Sequence, residues 1–373
     1  MKKKIILVSN TSWSLYKFRF SLIKNINKEG YNIISCAIND DLYQSKLNDY
    51  SRFVFLNKKK KIKFPIINDL ITSINFVFLI LKEKPNICLF FTIKPNILFS
   101  LICSFLGRTY INNITGLGSI FLLKNKLIRS ILLLTYRIVL KKSKLIFFQN
   151  NDDHQIFLKN KIVNKSNSKV LPGSGINTQI KQFATFKKNN NENINFIFVA
   201  RLIKDKGVVE YIKAAKNILN KYNRVTFTIF GNFDYSNPSH IKKDIFFNLI
   251  KSSNILYKGF NDNILIEISR SDCLVLPSYR EGLSRTLLEA GLLSKPSITS
   301  DVPGCKDVII NNYNGLLCKP MDIDDLENKL ETFINISRPK RIQLGINAYK
   351  NVINNFDEKI VINEYIKVIK NEK

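Results

Sequence analysis

The chain has 373 residues, 45% hydrophobic and 23% charged, a composition typical of a globular protein large enough for two domains. The six cysteines are scattered, so we expect free thiols in a reducing compartment, and with only two histidines we expect no cysteine- or histidine-rich metal site. The sequence has no run of roughly 20 apolar residues, so we expect no membrane span. The net charge of +29 is concentrated in residues 1–186, which contain 30 Lys and Arg but only 8 Asp and Glu, and this favours a polyanionic partner, either nucleic acid or an anionic membrane. The alternative is an AT-rich genome, which accounts for much of the lysine but not for the shortage of acidic residues in this half.

Strand-like apolar runs alternate with helical patterns along the chain, which is typical of βαβ units and parallel sheets. In the first half we predict strands at residues 4–8, 33–37, 52–56, 86–91, 110–113, 144–148 and 169–171. We predict helices near residues 15–29, 66–83, 94–106, 124–141 and 151–159. Residues 172–177 then interrupt the alternation with Pro and Gly, and residues 187–193 are polar, which predicts a domain boundary.

The second half restarts the same alternation. Strands are predicted at residues 195–199, 225–230, 255–257, 273–276 and 297–299, and helices near 206–221, 240–251, 262–269, 284–293 and 322–336. A last amphipathic segment, residues 358–369, is expected to return to the first domain. We therefore divide the chain into residues 1–177, a linker at 178–193, a second domain at 194–355 and a returning helix within 356–373.

Two strand-to-helix junctions in the second half carry charged residues. Arg201 follows the apolar run 196–200, and Lys206 enters the next helix five residues later. Open α/β sheets bind ligands just outside the carboxyl ends of their strands, and an Arg fork with a Lys suits phosphate oxygens. The alternative is that both side chains are simply solvated.

Glu281 and Glu289 lie eight residues apart at the second junction, after the apolar run 273–277. Glu281 precedes a glycine in a loop, and Glu289 lies on the following helix among leucines, where a carboxylate needs a partner such as a ligand hydroxyl. The helix start adds backbone N–H groups that favour an anion. Together the two junctions suit a nucleotide sugar, although Glu281 could be solvated and Glu289 could serve only to cap its helix.

Two loops in the first half follow predicted strands. The loop at residues 9–14 includes Ser12 and the only tryptophan, Trp13, and the loop at 115–119 includes Thr115 and Gly116. Trp13 could stack on an acceptor sugar or belong to the core, and the glycines could allow close backbone approach or form plain turns. The group Asn151-Asp152-Asp153-His154 is interpreted as a helix cap.

These motifs resemble those of the retaining GT-B-fold glycosyltransferases of family 4, over nearly the whole chain. Arg201…Lys206-Gly207 is similar to the family's Arg-x4-Lys-Gly element, Glu281-x7-Glu289 to its Glu-x7-Glu motif, and residues 172–177 to its hinge. Residues 115–119 with Phe148-Gln149-Asn150 and Asp153 resemble the subgroup acting on undecaprenyl-diphosphate-linked sugars in O-antigen, capsule or other bacterial glycan assembly.

The resemblance implies an α/β fold of two doubly wound Rossmann-like parallel-sheet domains facing a central cleft, the first binding the acceptor and the second the nucleotide-sugar donor. It implies that Arg201 and Lys206 hold the donor diphosphate, that Glu281 contacts sugar hydroxyls and that Glu289 contacts the ribose. The remaining implied donor-side residues are Gly231, Lys258, Gly259, Phe260, Gly282, Leu283 and Ser284, and the implied acceptor-side residues are Ser12, Trp13, Thr115 and Gly116.

The implied reaction is transfer of a hexose or N-acetylhexosamine from a UDP-sugar onto a lipid-diphosphate-linked saccharide, with retention. No cofactor or metal is expected, because Arg201, Lys206 and the helix start would supply the positive charge at the leaving group. The chain departs from some relatives in lacking a glycine pair in the first loop and a histidine at residues 115–119. That departure fits a mechanism in which the leaving diphosphate itself helps to deprotonate the acceptor.

The basic first half, together with the lipid-linked acceptor that the resemblance implies, leads us to expect a cytoplasmic protein, peripheral on the inner face of the membrane, with an anionic membrane surface and no nucleic acid as partner. The lysine-rich residues 58–64 are the sharpest candidate contact. Residues 127–144 are a second, with an ordinary helix packed in the core of the first domain as an equal alternative. Two other interpretations remain open at this point. One is a nucleic-acid-binding protein that uses the basic first half, and the other is a nucleotide-sugar epimerase or glycogen-synthase-like enzyme on the same fold.

Overall fold

The computed structural model describes residues 2–57, 65–118, 126–179, 193–235 and 237–371, and the statements below concern these residues. It divides into two compact units. The first comprises Met1–Ser174 and Glu358–Lys373, and the second comprises Gly175–Asp357.

The first unit is built on a parallel sheet with strand order β3-β2-β1-β4-β5-β6-β7. Its strands are β1 (Lys4–Ser9), β2 (Asn32–Ala37), β3 (Arg52–Phe55), β4 (Ile87–Phe91), β5 (Thr109–Ile114), β6 (Leu145–Phe148) and β7 (Ser168–Val170). Its helices are α1 (Ser12–Lys28), α2 (Gln44–Asn48), α3 (Pro65–Glu83), α4 (Ile93–Phe105), α5 (Lys126–Leu140), α6 (Asn151–Lys159) and, from the end of the chain, α13 (Glu358–Lys370).

Helices cover both faces of this sheet because successive strand residues point to opposite sides. Ile5 and Leu7 of β1 join a core with α1 and α13, whereas Ile6 and Val8 join a core with α3 and α4. A further cluster packs α5 against β5 and β6 on the side of α4. The helices α3, α4 and α5 therefore form one layer, with α4 in contact with both of the others.

The second unit repeats the plan with the order β10-β9-β8-β11-β12-β13. Its strands are β8 (Ile194–Val199), β9 (Val225–Phe230), β10 (Ile255–Tyr257), β11 (Cys273–Leu276), β12 (Ser297–Ser300) and β13 (Gly315–Cys318). Its helices are α7 (Val208–Lys221), α8 (Lys243–Ile250), α9 (Ile264–Arg270), α10 (Arg285–Leu292), α11 (Ile323–Asn335) and α12 (Arg338–Asn355).

Each sheet has a point at which the strand order reverses. It lies between β1 and β4 in the first unit and between β8 and β11 in the second, because the chain builds outward from one strand and then crosses to its other side. Ligands of doubly wound sheets bind beyond the carboxyl ends of the strands at that point. The segments after β1, β4, β8 and β11 are therefore the places to look for a site.

The prediction of two doubly wound, Rossmann-like parallel sheets is confirmed. Three elements were not predicted from the sequence: the short helix α2, the edge strand β13 and the long helix α12. Among the described residues, no helix combines the length and apolarity that crossing a membrane requires.

Candidate functional site

The loops that follow β8 and β11 are joined at the switch point of the second sheet. The N–H of Tyr279 donates to the carbonyl of Asp205 at 2.8 Å. Gly207 ends a 3-10 turn, Lys204–Lys206, with φ +72°, and a Cβ at this position would lie 2.1 Å from the carbonyl oxygen of Pro277. Only glycine permits both this backbone conformation and this approach. The Lys-Gly pair of the sequence motif thus fixes one loop against the other.

Lys206 and Glu281 form an ion pair across these two loops. Their side chains are only 18% and 12% exposed, and the hydroxyl of Ser278 donates to the same carboxylate at 2.9 Å. A largely desolvated cation and carboxylate are therefore held together at the carboxyl ends of β8 and β11. Such a pair offers a cation to a phosphate and hydrogen-bond acceptors to hydroxyl groups.

Arg201 has a different partner from Lys206. Its guanidinium donates to Asp234, on the loop after β9, at 2.7 Å, and its side chain is 57% exposed. The sequence predicts that Arg201 and Lys206 serve one anion, but in this structure each is paired with its own carboxylate. A shared ligand would therefore compete with Asp234 for one cation and with Glu281 for the other.

The loop from Glu281 to Ser284 is supported by a neighbouring turn. The N–H groups of Glu281 and Ser284 donate to the carbonyls of Pro303 and Gly304, each at 3.0 Å. Gly304 has φ +78°, and a Cβ there would lie 2.6 Å from Glu281. The resemblance implies that the amides of Gly282, Leu283 and Ser284 contact donor phosphates and sugar, but the Ser284 amide is already engaged within the protein.

Glu289 lies on α10, one turn after the helix begins at Arg285. The Nε atom of Arg285 lies 3.3 Å from Glu289 Oε1. The Nη1 atom of the same guanidinium donates to the Gly175 carbonyl at 3.4 Å. Glu289 is half-buried at 19% exposure. The sequence predicts that this carboxylate needs a partner, and in the structure Arg285 of the same helix is one.

The segments after β9 and β10 meet close to Arg201. The N–H of Gly231 donates to the carbonyl of Gly259 at 2.8 Å, and the Tyr257 hydroxyl donates to the carbonyl of Gly231 at 3.0 Å. A Cβ at Gly231 would lie 1.8 Å from the carbonyl oxygen of Ala200. Two further predicted donor-side residues, Lys258 and Phe260, are exposed beside this junction.

Tyr279 and Glu210 were not singled out from the sequence, yet they tie α7 to the loop after β11. The Tyr279 hydroxyl donates to Glu210 Oε1 at 2.7 Å, and burial together with this carboxylate raises the pKa of Tyr279 well above its ordinary value of 10.0. The phenol therefore keeps its proton and the hydrogen bond through neutral pH. No sequence signal connects two residues so far apart in the chain.

The predicted acceptor-side residues of the first unit have different surroundings. Ser12, the first residue of α1, is fully buried. Its N–H and hydroxyl both donate to the carboxylate of Asp40. Trp13 is 38% exposed, with its ring edge-on to Phe18. Thr115 and Gly116 are partly exposed after β5. Ser12 thus positions the loop after β1, whereas Trp13 presents a ring surface.

Thr92, directly after β4, is a third residue that sequence reasoning missed. Its φ of +72° and ψ of 165° fall in a region of backbone space that is essentially reserved for glycine. A β-branched residue in this conformation is strained, and such strain is commonly found at functional sites. Thr92 lies at the switch point of the first sheet, which makes it a further candidate for the acceptor side.

Some predicted features lie outside the described residues or have other roles. The lysine-rich residues 58–64, Ser119 and most of the linker lie outside the described part. Within it, no group of three His, Cys, Asp or Glu side chains could hold a metal ion. The one Asp-x-Asp pattern, at Asp322, caps α11. His154 packs against Phe148 and contacts Ser168 at 2.8 Å, and burial lowers its pKa.

Residues 177–351 match the sequence family described as "Glycosyl transferases group 1". Over its full length the chain is similar to the Campylobacter jejuni N,N'-diacetylbacillosaminyl-diphospho-undecaprenol alpha-1,3-N-acetylgalactosaminyltransferase, at 27% identity over 99% of this chain and 100% of the relative. It is 28% identical to the Staphylococcus aureus capsular polysaccharide biosynthesis glycosyltransferase CapM, over 80% of each chain. An Escherichia coli UDP-Gal:alpha-D-GlcNAc-diphosphoundecaprenol alpha-1,3-galactosyltransferase is 27% identical over 56% of this chain and 55% of its own.

Solved structures agree on the fold. Anabaena Alr3699/HepE, in complex with UDP and glucose, superposes with a TM-score of 0.79 over 100% of both chains at 14% identity. The Thermosynechococcus elongatus sucrose-phosphate synthase gives a TM-score of 0.82 at 14% identity, over 99% of this chain and 98% of its own. The two doubly wound units thus form a GT-B fold, and the matches support glycosyl transfer rather than nucleic-acid binding or epimerisation.

Proposed function

We propose that this chain is a glycosyltransferase of GT-B fold and that it transfers a sugar from a UDP-linked donor onto a lipid-diphosphate-linked saccharide. The donor sugar is a hexose or an N-acetylhexosamine, and the product belongs to a bacterial surface polysaccharide such as capsule, O-antigen or lipopolysaccharide. Two of the relatives are named as transferases that act on diphospho-undecaprenol-linked sugars, which supports this acceptor class. The proposal includes membership of the retaining family 4.

The observation that carries the proposal is the Lys206–Glu281 pair at the switch point of the second sheet. A nucleotide sugar presents a diphosphate next to a ring of hydroxyl groups. The site presents a cation next to a carboxylate, both largely withdrawn from water, where electrostatic interactions are stronger than at the surface. Donor diphosphate would bind Lys206, and the carboxylate of Glu281 would accept hydrogen bonds from the sugar.

Positive charge at the leaving group is the main catalytic contribution that we assign to the protein. As the bond between the sugar and the diphosphate breaks, negative charge develops on the diphosphate. Lys206, Arg201 and the N-terminal end of α10 would stabilise that charge, which is why no metal ion is required in this proposal. The departing diphosphate would take the acceptor proton on the same face of the sugar, so that the configuration is retained.

The acceptor is assigned to the first unit, beside Trp13, Thr92, Thr115 and Gly116. A ring such as that of Trp13 can stack on a saccharide, and it is 38% exposed. Because the acceptor lipid resides in a membrane, the protein is proposed to work peripherally at the inner, anionic face of the cell membrane. The excess of Lys and Arg in residues 1–186 supports that placement.

The proposal is tested with a panel of nucleotide sugars, first by thermal shift and then by transfer to a lipid-diphosphate-linked saccharide, with and without excess EDTA. We expect a UDP-sugar to stabilise the protein and to be consumed with an α-linked product, and the rate to persist in EDTA. Anomeric inversion would refute retention, and loss of activity that a divalent cation restores would refute metal independence. If no nucleotide sugar binds, the proposed function itself is wrong.

A further inference from the structure

The outward face of α3 is apolar where a solvated helix would be polar. Ile66, Leu70 and Phe78 are 83%, 60% and 67% exposed, and Ile67, Ile74 and Leu81 are exposed as well. Among the side chains of α3 that the structure describes, the only polar ones that are exposed are Asn75 and Lys82. A helix at a protein surface normally turns its polar residues outward. This pattern therefore indicates a surface that is covered by something else.

The exposed side chains form a stripe along the helix. Ile66, Leu70, Ile74 and Phe78 follow one another at intervals of four residues, so they lie on one side of α3. The opposite side, including Phe76 and Ile80, is buried in the core of the first unit. Because the inner side already accounts for the packing of the helix on its sheet, the outer stripe is not explained by the fold.

The two neighbouring helices of the same layer also expose apolar side chains. Phe105 at the end of α4 is 81% exposed, and Leu101 is also exposed. On α5 the exposed apolar side chains include Ile131, Leu134 and Ile138. We call the exposed apolar side chains of α3, α4 and α5 the helical face. Three adjoining helices that are apolar outward form a surface much larger than the single exposed residues that are ordinary in soluble proteins.

The segments that contain the helical face are rich in cations. Residues 65–118 and 126–142 contain nine Lys and Arg but only two Asp and Glu. Both acids are paired, Asp69 with Lys94 at 2.8 Å and Glu83 with Lys4 and Arg52 at 3.0 and 2.7 Å. The layer therefore presents apolar side chains and positive charge together, which is the combination that an anionic lipid surface attracts.

A second copy of the chain would fit this surface less well than a lipid bilayer. A symmetric dimer places the same patch of both copies in contact, which would bring the cations of one layer close to those of the other. Like charges brought together in this way oppose association. Anionic lipid headgroups compensate the cations, and acyl chains receive the apolar stripe.

We propose that the helical face is the membrane-contact surface of this protein, with α3 lying in the plane of an anionic bilayer and its stripe at the boundary of the acyl chains. Such helices sink roughly 5–10 Å into the headgroup region without spanning the membrane. The inference deepens the proposed function by naming the surface through which an enzyme with a lipid-linked acceptor reaches its substrate.

The test compares the wild type with the triple variant Leu70→Gln, Ile74→Gln, Phe78→Gln in sedimentation with vesicles of neutral lipid and of neutral lipid plus 30% anionic lipid. All three side chains are exposed, so the variant should keep its fold and thermal midpoint. The matched control replaces two exposed isoleucines of the second unit, Ile342→Gln and Ile346→Gln on α12. We expect wild type and control to bind the anionic vesicles, and the triple variant to lose on the order of tenfold or more in partitioning.

Fluorescence locates the stripe relative to the lipid. The natural sequence has one tryptophan, so Phe78→Trp adds a single new signal, and Ile346→Trp provides the matching probe on the second unit. We expect lipids brominated on their acyl chains to quench the added signal at position 78 and not the one at 346. Equal quenching at both positions would overturn the proposed orientation.

Three results would overturn the proposal: wild type that does not bind anionic vesicles, binding that the triple variant retains, or a dimer in sedimentation velocity that the triple variant dissolves. The proposed function is judged separately, by transfer to a short-chain, water-soluble lipid-diphosphate saccharide without vesicles. The triple variant should keep that rate. If the wild type binds vesicles through the stripe but transfers no sugar to either acceptor, the surface stands and the function fails.

Discussion

At the scale of single residues, the Lys206–Glu281 pair illustrates why a site can be costly to alter. An ion pair that is mostly withdrawn from water contributes little net stability, but removing one partner leaves the other charge uncompensated. The hydroxyl of Ser278 also donates a hydrogen bond to Glu281. We therefore expect substitutions at this pair to affect both catalysis and the order of the loop that contains Glu281.

We predict that Lys206→Ala lowers kcat/KM by roughly 10²-fold, the scale of losing one electrostatic contact in the transition state. Arg201→Ala should lose a similar factor, because its exposed guanidinium can leave Asp234 for the donor. The matched control is Arg270→Ala, which removes another exposed arginine that is ion-paired to a carboxylate, that of Glu267. Folded Lys206→Ala and Arg201→Ala proteins with wild-type rates would refute the assignment of the donor site.

Thr92 allows a test of strain at the acceptor side. We predict that Thr92→Gly stabilises the first unit by about 1 kcal/mol, because glycine adopts this conformation without the steric cost that threonine bears. If the strained threonine also positions the acceptor, the same variant should have a higher acceptor KM and an unchanged donor KM. Urea denaturation and steady-state kinetics check the two parts, and a destabilised variant would show that the backbone is not strained.

At the scale of elements, the donor-side loops make close backbone contacts at two glycines in addition to their side-chain contacts. Gly207 lies against Pro277, and Gly304 lies against Glu281. The resulting clamp brings the end of β8 and the end of β11 together and so sets the separation of Lys206 and Glu281. The geometry of the ion pair thus depends on residues that carry no functional group.

We predict that Gly207→Ala destabilises the second unit by about 2 kcal/mol or more, since the added methyl group meets a backbone carbonyl at 2.1 Å as well as a positive φ. Gly259→Ala is the matched control, because Gly259 has φ +69° and open space around it. It should cost only about 1 kcal/mol, the contribution of the backbone conformation alone. Equal losses in thermal unfolding would show that the contact with Pro277 is not limiting.

A second clamp joins elements of the first unit at Glu83. This carboxylate at the end of α3 binds Lys4 of β1 and Arg52 of β3, and these hydrogen bonds lower its pKa below the ordinary value of 4.5. A carboxylate with a lowered pKa in the folded state contributes stability above its unfolded pKa and loses it as pH falls through the folded value.

We predict that Glu83→Gln lowers the free energy of unfolding by about 1–2 kcal/mol at pH 7. This difference from wild type should vanish as the pH falls below 4.5 and through the pKa that Glu83 has in the folded protein. Asp69→Asn is the control, because the Lys94–Asp69 pair is more exposed and should contribute less than about 1 kcal/mol. Urea unfolding at a series of pH values measures both. A deficit in Glu83→Gln that does not depend on pH would contradict the clamp.

Most elements could be predicted from the sequence because buried parallel strands are continuous apolar runs and their helices are amphipathic. β13 was missed because Gly315–Cys318 is a short edge strand, and α12 because its buried positions include Gly345 and Ala348, which give a weak apolar pattern. The placement of Arg201, Lys206 and Glu281 in the segments after β8 and β11 could be predicted because those strands are apolar runs, whereas their role in donor binding stays a prediction. The contacts that hold them, such as Tyr279 with Glu210, join distant parts of the chain and leave no local pattern.

At the scale of the whole molecule, the chain leaves the first unit after Ser174 and returns to it at Glu358. Next to these two crossings, Ile176 pairs with Asp357, and the N–H of Ile176 donates to the Phe356 carbonyl at 2.8 Å. The returning helix α13 then completes the core of the first unit, so this unit cannot finish folding until the end of the chain is available.

The importance of α13 follows from what it buries. Val361, Ile362, Tyr365 and Ile369 are at most 6% exposed in the core formed with α1, and the Tyr365 hydroxyl accepts a hydrogen bond from Asn113 of β5 at 2.7 Å. Burial raises the pKa of Tyr365 to about 12, so the phenol stays neutral at every physiological pH. Removing each such apolar side chain costs roughly 2–5 kcal/mol, and four of them together approach the whole stability of a domain, about 5–15 kcal/mol.

We predict that deleting residues 358–373 unfolds the first unit but leaves the second able to bind UDP, because the second unit has its own sheet and core within Gly175–Asp357. Calorimetry of the truncated chain should show one transition that UDP raises, and transfer activity should be absent. Tyr365→Phe is the control, because it keeps the ring and loses only the bond to Asn113, at a cost of about 1–3 kcal/mol with both transitions present. A truncated chain that retained the first transition would show that β1–β7 and their own helices suffice for that core.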